Sequence, residues 1–234
     1  MTSPAEVVYP KEWRIFKNSE LLAQQAVADI VTTSEIAIKA RGAFHLVTAG
    51  GRTPNRIYQL LAQTEQDWSR WHIYTGDERV APLGDTQRNA TALFSHWLNE
   101  VSIPEANLHL MQTHWPVAEA LADYQQQVAG LVFDMTLLGM GEDGHTASLF
   151  PNQAWRILAG DVALVIDSPK PPPVRLTLTL ACLNRSRQII KLITGAEKNP
   201  AILEWLAGDE LPIVAPLGSE VTKVYLDESA CLGA

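Results

Sequence analysis

Apolar and polar positions along the chain follow two rhythms that take turns. Ser19 to about Lys39 places Leu21, Leu22, Ala26, Ile30, Ile36 and Ala37 at helical spacing, and Gly42 ends the pattern. Phe44–Gly51 (FHLVTAGG) then reads as a buried strand leaving through a glycine turn, and Pro54 suits the first turn of a following helix. Trp71–Arg79 repeats the arrangement, an apolar strand passing into polar residues. Next come a helix near Arg88–Leu98, a short strand at Asn107–Met111, a helix over Ala118–Val128 and the clearest buried strand, Phe133–Gly141. The remainder predicts strands at Asp161–Asp167, Val174–Leu180 and Gln188–Gly195, a helix near Ala196–Leu206 and a last strand around Thr222–Leu226.

Strands alternating with helices imply right-handed crossovers and a mostly parallel sheet covered on both faces. The strict alternation of Val174–Leu180 (VRLTLTL) marks a half-exposed strand or an antiparallel edge. There is no internal repeat, and the Pro-rich piece Pro169–Pro173 is too short for a linker, so residues 1–234 read as a single α/β domain with room for a small lobe. Ligands of such sheets gather beyond the carboxyl ends of the strands. The segments found there, AGGRTPN, TGDERVAP, GMGEDGHTASLFP, DSPKPPPVR and TGAEK, hold much of the reactive chemistry.

Composition narrows the class. Lys plus Arg number 18 against 26 acidic residues, a formal charge of −8, which disfavours nucleic acid and acidic membranes as partners but permits a local pocket for a small anion. Cys182 and Cys231 lie far apart, with no disulfide or zinc pattern. The opening MTSPAEVVYPKEW lacks the features of a secretion signal, and no apolar run reaches membrane-spanning length, so a cytoplasmic protein is expected.

Each motif has a bland reading beside the chemical one. Thr48–Pro54 offers two glycines and a helix start to an anion, with Thr53 and Arg52 as further donors, or is an ordinary strand-to-helix turn. Asp77, Glu78 and Arg79 end a strand as an acid–base group or as a self-neutralising surface turn. Gly139–Gly144 (GMGEDG) matches a dinucleotide fingerprint, but Glu142 and Asp143 put negative charge where a pyrophosphate would sit, and Pro151 leaves little room for the helix. His145, two residues from Asp143, is the best acid–base candidate. The other histidines, His45, His72, His96, His109 and His114, read as solvated residues without metal-ligand spacing. Arg175, behind the prolines of Lys170–Pro173, and Lys198, at a helix start, add cations to loops beside strands, although Lys198 also fits a solvent-facing position.

Taken in order, AGGRTP, GDERVAP, GMGEDGHTASLFP, KPPPVR and GAEK resemble the 6-phosphogluconolactonases, whose superfamily also holds glucosamine-6-phosphate deaminases. The resemblance runs from about Gly50 to Lys198 and implies the same family over the whole chain. It implies a Rossmann-like three-layer α/β/α fold with a mostly parallel central sheet and no metal or organic cofactor. The implied activity is hydrolysis of 6-phospho-D-glucono-1,5-lactone to 6-phosphogluconate, the second step of the oxidative pentose phosphate pathway, by a carboxylic ester hydrolase. Its implied partner is the small phosphosugar lactone, with no nucleic acid or membrane, in a monomer or small homo-oligomer. By the same resemblance His145 is the general base with Asp143 beside it, and Arg79 lies near the reacting end. Gly50, Gly51, Thr53, Arg175 and Lys198 surround the phosphate. Asp77, Glu78 and Arg52 are possible supporting residues. The deaminase relatives use an aspartate matching Asp77 and a glutamate where this chain has Phe150, which favours the lactonase.

On this reading His145 takes a proton from water attacking C1, and the oxyanion meets glycine-loop N–H groups or Arg79. Imidazolium then protonates the leaving ring oxygen. No serine nucleophile is needed, since Ser148 lacks the elbow pattern. The alternatives are a glucosamine-6-phosphate deaminase or isomerase on the same fold, and a non-catalytic sugar-phosphate sensor.

Overall fold

The computed structural model describes residues 9–231. In chain order the elements are β1 (Trp13–Phe16), α1 (Ser19–Arg41), β2 (Phe44–Thr48), α2 (Arg52–Leu61), β3 (Trp71–Thr75), β4 (Asp77–Arg79), α3 (Asn89–His96), β5 (Leu108–His109), α4 (Val117–Val128) and β6 (Phe133–Gly139). They continue with β7 (Val162–Val165), β8 (Arg175–Leu178), α5 (Leu180–Leu183), β9 (Ser186–Ile193), α6 (Asn199–Ala207) and β10 (Val221–Asp227). The longest helix, α1, is fixed at both ends: the Asn18 side chain accepts from the Leu21 N–H, and Gly42 takes the left-handed conformation that a residue with a Cβ would resist.

Seven strands form one parallel sheet in the order β1-β10-β9-β6-β2-β3-β5. Because side chains alternate along a strand, this sheet feeds two apolar cores. Leu46, Ile73 and Met135 pack under α1, α2 and α3, whose Ile30, Ile57 and Leu93 are buried there. Val47, Tyr74 and Leu138 face the other way, into a core shared with α4, α6 and a second sheet. The fold is thus α/β with a mostly parallel central sheet flanked by helices, as expected.

The second sheet, β4-β8-β7, is antiparallel. Val174–Leu180 yields β8, which is neither half-exposed nor an edge: it is the central strand, and all four of its residues are buried. Its alternation separates two buried faces, with Leu176 and Leu178 in the apolar core and Arg175 and Thr177 on a polar side. Trp71–Arg79 is not continuous either. It breaks at Gly76, where β3 stays in the large sheet and β4 leaves for the small one. The short β1 and α5 carried no sequence signal strong enough to predict them.

After β2 the chain moves toward β3 and β5, whereas after β6 it moves toward β9 and β10. The loops leaving β2 and β6 therefore part to opposite sides, and a crevice opens between them, as it does wherever strand order reverses. No helix follows β6; the chain passes through turns and a single bridge, Thr146 to Leu149, which removes the helix a dinucleotide fingerprint requires.

Candidate active site

That crevice is a cleft of about 250 Å3 bounded by Thr48–Gly51 after β2, Leu137–Gly141 at the end of β6, and side chains from the small sheet. His145, Arg79, Arg175, Lys198 and Asp77 all line it, together with Lys170.

His145 is held from three sides. Its Nδ1 lies 2.5 Å from Asp143 Oδ1, and its backbone N–H also reaches that oxygen at 3.3 Å. Burial works to raise the Asp143 carboxyl, but the hydrogen bond and charge of His145, aided by Lys170, outweigh it and hold the group far below its ordinary range. An ionised Asp143 only accepts, so Nδ1 carries the proton and Nε2 is left with the lone pair, the arrangement a general base needs. Behind the ring, Phe150 is fully buried with its centroid 4.7 Å from that of His145. Gly141 packs close to the Nδ1–Cε1 edge, where a Cβ would fall 2.0 Å from Nδ1.

The small sheet supplies the next wall. Register places Asp77 opposite Thr177 and Arg79 opposite Arg175, so these four share a face and Glu78 points the other way. Like charges directly opposite in a sheet repel, so the Arg79–Arg175 pair is suited to an anion between or above them. Arg79 is tied through Nη1 to the Gln87 carbonyl, and its buried Nε has no hydrogen-bond partner. Arg175 donates from Nε to the Pro172 carbonyl at 3.1 Å and from Nη2 to those of Lys170 and Pro171 at 2.9 and 3.1 Å. Burial lowers its pKa from the usual value, with Asp77 opposing the shift.

Asp77 accepts from Ser148 Oγ at 2.6 Å and from Asn89 Nδ2 at 2.9 Å. Asn89 also lies against Gly50, where a Cβ would meet its Oδ1 at 2.1 Å, so the glycine loop and Asp77 are set by one side chain. Glu78 is buried outside the cleft. Its carboxyl accepts the N–H groups of Arg79, Asn89 and Ala90 and so caps the start of α3. Burial pushes its pKa up against those three bonds and Arg88.

At the far end, Gly51 adopts φ 114° and leads into α2, whose first turn has no side-chain cap. Its N–H groups and helix dipole favour an anion. Thr53 borders a smaller depression of about 120 Å3 that shares Gly50, Gly51 and Lys198 with the cleft. Its hydroxyl is 2.6 Å from that of Thr194. Arg52 extends into solvent and reaches Glu197 at 3.3 Å. Burial lowers the Lys198 pKa, with Glu197 and Glu142 opposing.

The structure thus brings His145, Arg79, Arg175, Lys198, Asp77, Gly50 and Gly51 to one cleft, sets Asp143 and Thr53 at its margins, and leaves Glu78 and Arg52 outside it. The sequence reading missed Asn89, Gly141 and Lys170. The GxG spacing of β6 and the loop position of Lys170 were the available signals. It also expected the remaining histidines to be solvated, which fails for three of them. His45, His72 and His109 are half-buried and stacked across β2, β3 and β5, at centroid distances of 4.7 and 5.5 Å. Among the described residues no cluster of three or more His, Cys, Asp or Glu is arranged to hold a metal, and no helix is long and apolar enough to cross a membrane.

Residues 17–224 match the family model described as glucosamine-6-phosphate isomerases/6-phosphogluconolactonase. The chain is 36% identical over 205 residues to a Synechocystis protein named 6-phosphogluconolactonase, covering 83% of this chain and 85% of that one. It is 34% identical over 235 residues to the 6-phosphogluconolactonase of Mycobacterium tuberculosis, covering 92% and 95%. The crystal structure of 6-phosphogluconolactonase from Thermotoga maritima superposes with a TM-score of 0.85 at 31% identity, over 92% of this chain and 98% of that one. A monomeric glucosamine-6-phosphate deaminase shares the fold, with a TM-score of 0.79 at 21% identity.

Proposed function

The chain belongs to the glucosamine-6-phosphate isomerase/6-phosphogluconolactonase family, and from that premise we propose that it hydrolyses 6-phospho-D-glucono-1,5-lactone to 6-phosphogluconate, with His145 as general base. The observation that carries this reading is the His145–Asp143 pair, with Nδ1 spent on the carboxylate and Nε2 left without a partner among the described residues. A carboxylate that fixes the tautomer while the opposite nitrogen meets water is the geometry general-base hydrolysis requires.

In this mechanism Nε2 removes a proton from water as its oxygen attacks C1. Charge builds on the carbonyl oxygen, and Arg79, which lines the cleft with His145, is the cation that meets it on this reading. The C1–ring-oxygen bond then breaks, and imidazolium His145 returns its proton to the departing oxygen. Asp143 keeps the ring oriented and balances its transient charge. The phosphate lies toward the Gly50–Gly51 turn, Thr53 and Lys198, with Arg175 on the wall between. Asp77 and Ser148 satisfy one another, which supports a route without a serine nucleophile. Both sheets contribute to one cleft, which supports treating the chain as a single catalytic domain of the oxidative pentose phosphate pathway.

Phe150 favours the lactonase over the deaminase. It places a fully buried aromatic ring against His145, at the position where the resemblance puts a glutamate in the deaminases. Product acid should form from freshly made lactone above the spontaneous rate, and no ammonia should be released from glucosamine 6-phosphate. His145→Ala should lower kcat about 10²- to 10⁴-fold. Ammonia release, or full turnover by that variant, would refute the assignment.

A further inference from the structure

Two ammonium groups line the cleft, and neither Nζ has a hydrogen bond or ion pair among the described residues: Lys198 and Lys170. The backbone of Lys170 is pinned. Its carbonyl accepts from Ser168 Oγ at 2.8 Å and from Arg175 Nη2 at 2.9 Å, and its N–H donates to Ser168 Oγ at 3.2 Å. Arg175 holds the two following carbonyls as well, so most of its guanidinium is committed to this loop. The arginine and serine thus build a rigid platform for Lys170 and leave its charge unused.

The cations of the cleft fall into two groups. Arg175 is paired in register with Arg79 and senses Asp77 and Glu78. Lys170 shares the cleft with Lys198 and is close enough for the two charges to oppose each other, in a neighbourhood with Glu142, Glu197 and Arg52, and on its other side it also acts on Asp143. Two like charges held without a hydrogen bond or ion pair, with carboxylates near but not paired to them, beside an uncapped helix start, are the arrangement that a doubly charged anion stabilises.

We propose that Lys170 is a second phosphate-anchoring residue, acting with Lys198 on the dianion of a sugar phosphate, and that Arg175 is the positioning residue that holds its loop. The inference rests on the lactonase reading only for the identity of the sugar. Lys170→Ala keeps the carbonyl that Arg175 and Ser168 grip, so the loop is preserved and only the charge is removed.

The test compares wild type with Lys170→Ala on 6-phosphogluconolactone and on unphosphorylated glucono-1,5-lactone, together with calorimetric binding of 6-phosphogluconate. Expected is a rise in KM for the phosphorylated lactone of about 10- to 100-fold with kcat nearly unchanged, a matching fall in discrimination between the two lactones, and weaker 6-phosphogluconate binding. Lys170→Arg should recover part of each. Unchanged KM and affinity would overturn the proposal. So would an equal fall in kcat on both lactones, which would put Lys170 at the reacting end. A wild-type protein that binds 6-phosphogluconate through Lys170 yet hydrolyses nothing would overturn the lactonase reading and sustain this one.

Discussion

Gly141→Ala tests the catalytic geometry without removing a catalytic group. The new Cβ would lie 2.0 Å from His145 Nδ1, 2.1 Å from its Cε1 and 2.7 Å from Asp143 Oδ1, where ordinary contact begins near 3.4 Å. Gly141 is not among the glycines with positive φ, so alanine suits its backbone and the overlap falls on the side chains. Its N–H bond to the His145 carbonyl, at 2.8 Å, survives the change. The imidazole therefore has to shift by more than about 1 Å, and a misplacement of that size costs about 10²-fold in rate. This is about 2.7 kcal/mol of transition-state stabilisation. On the proposed reading the phosphate meets Gly50, Gly51, Thr53 and Lys198, none of which the new Cβ touches, so KM should stay within about threefold. Steady-state kinetics on fresh lactone, corrected for spontaneous hydrolysis, measure both constants, and the thermal midpoint reports any global damage. Adding Gly141→Ala to His145→Ala should cost nothing more, because the overlapping ring is gone and the remaining overlap, with Asp143, falls on a carboxylate that has no imidazole left to orient. Wild-type kcat in the single variant, or a further loss in the double one, would refute the placement of His145.

Glu78→Gln should lower the thermal midpoint, since an amide nitrogen would face one of the three N–H groups that the carboxylate accepts, at about 1–3 kcal/mol; an unchanged midpoint would deny the capping role. The stacked histidines predict acid sensitivity. Burial depresses His72 to about 4, with His45 and His109 adding to the shift, and both of those are depressed as well, chiefly by burial. A group whose folded pKa lies below its unfolded value contributes stability above the unfolded value, near 6.5, and that stability is lost as pH falls toward 4. Thermal midpoints should therefore drop across that window in wild type and less in His72→Phe, and parallel curves would dismiss the cluster as the cause.

The site was legible where chemistry follows directly on a strand. Gly50–Gly51 and Asp143–His145 are local signals, because a glycine turn and a D-G-H element need only a few consecutive residues. The D-E-R triplet shows the limit. Asp77 and Arg79 face the cleft while Glu78 caps α3, a division set by alternation in β4, but β4 could not be separated from β3 without knowing that Gly76 ends the large sheet. Arg175 and Lys170 make the same point, since side-chain bonds to carbonyls three to five residues away leave no periodic trace.

The sequence by itself determined the alternation of strands and helices, hence a parallel sheet buried on two faces, because hydrophobic period and turn chemistry are properties of neighbouring residues. Only the tertiary structure decided the strand order, the separate antiparallel sheet, and the convergence of His145, Arg79, Arg175, Lys170 and Lys198. Those depend on which distant strands share backbone hydrogen bonds and on which face of each strand meets solvent, and both are settled when the layers pack.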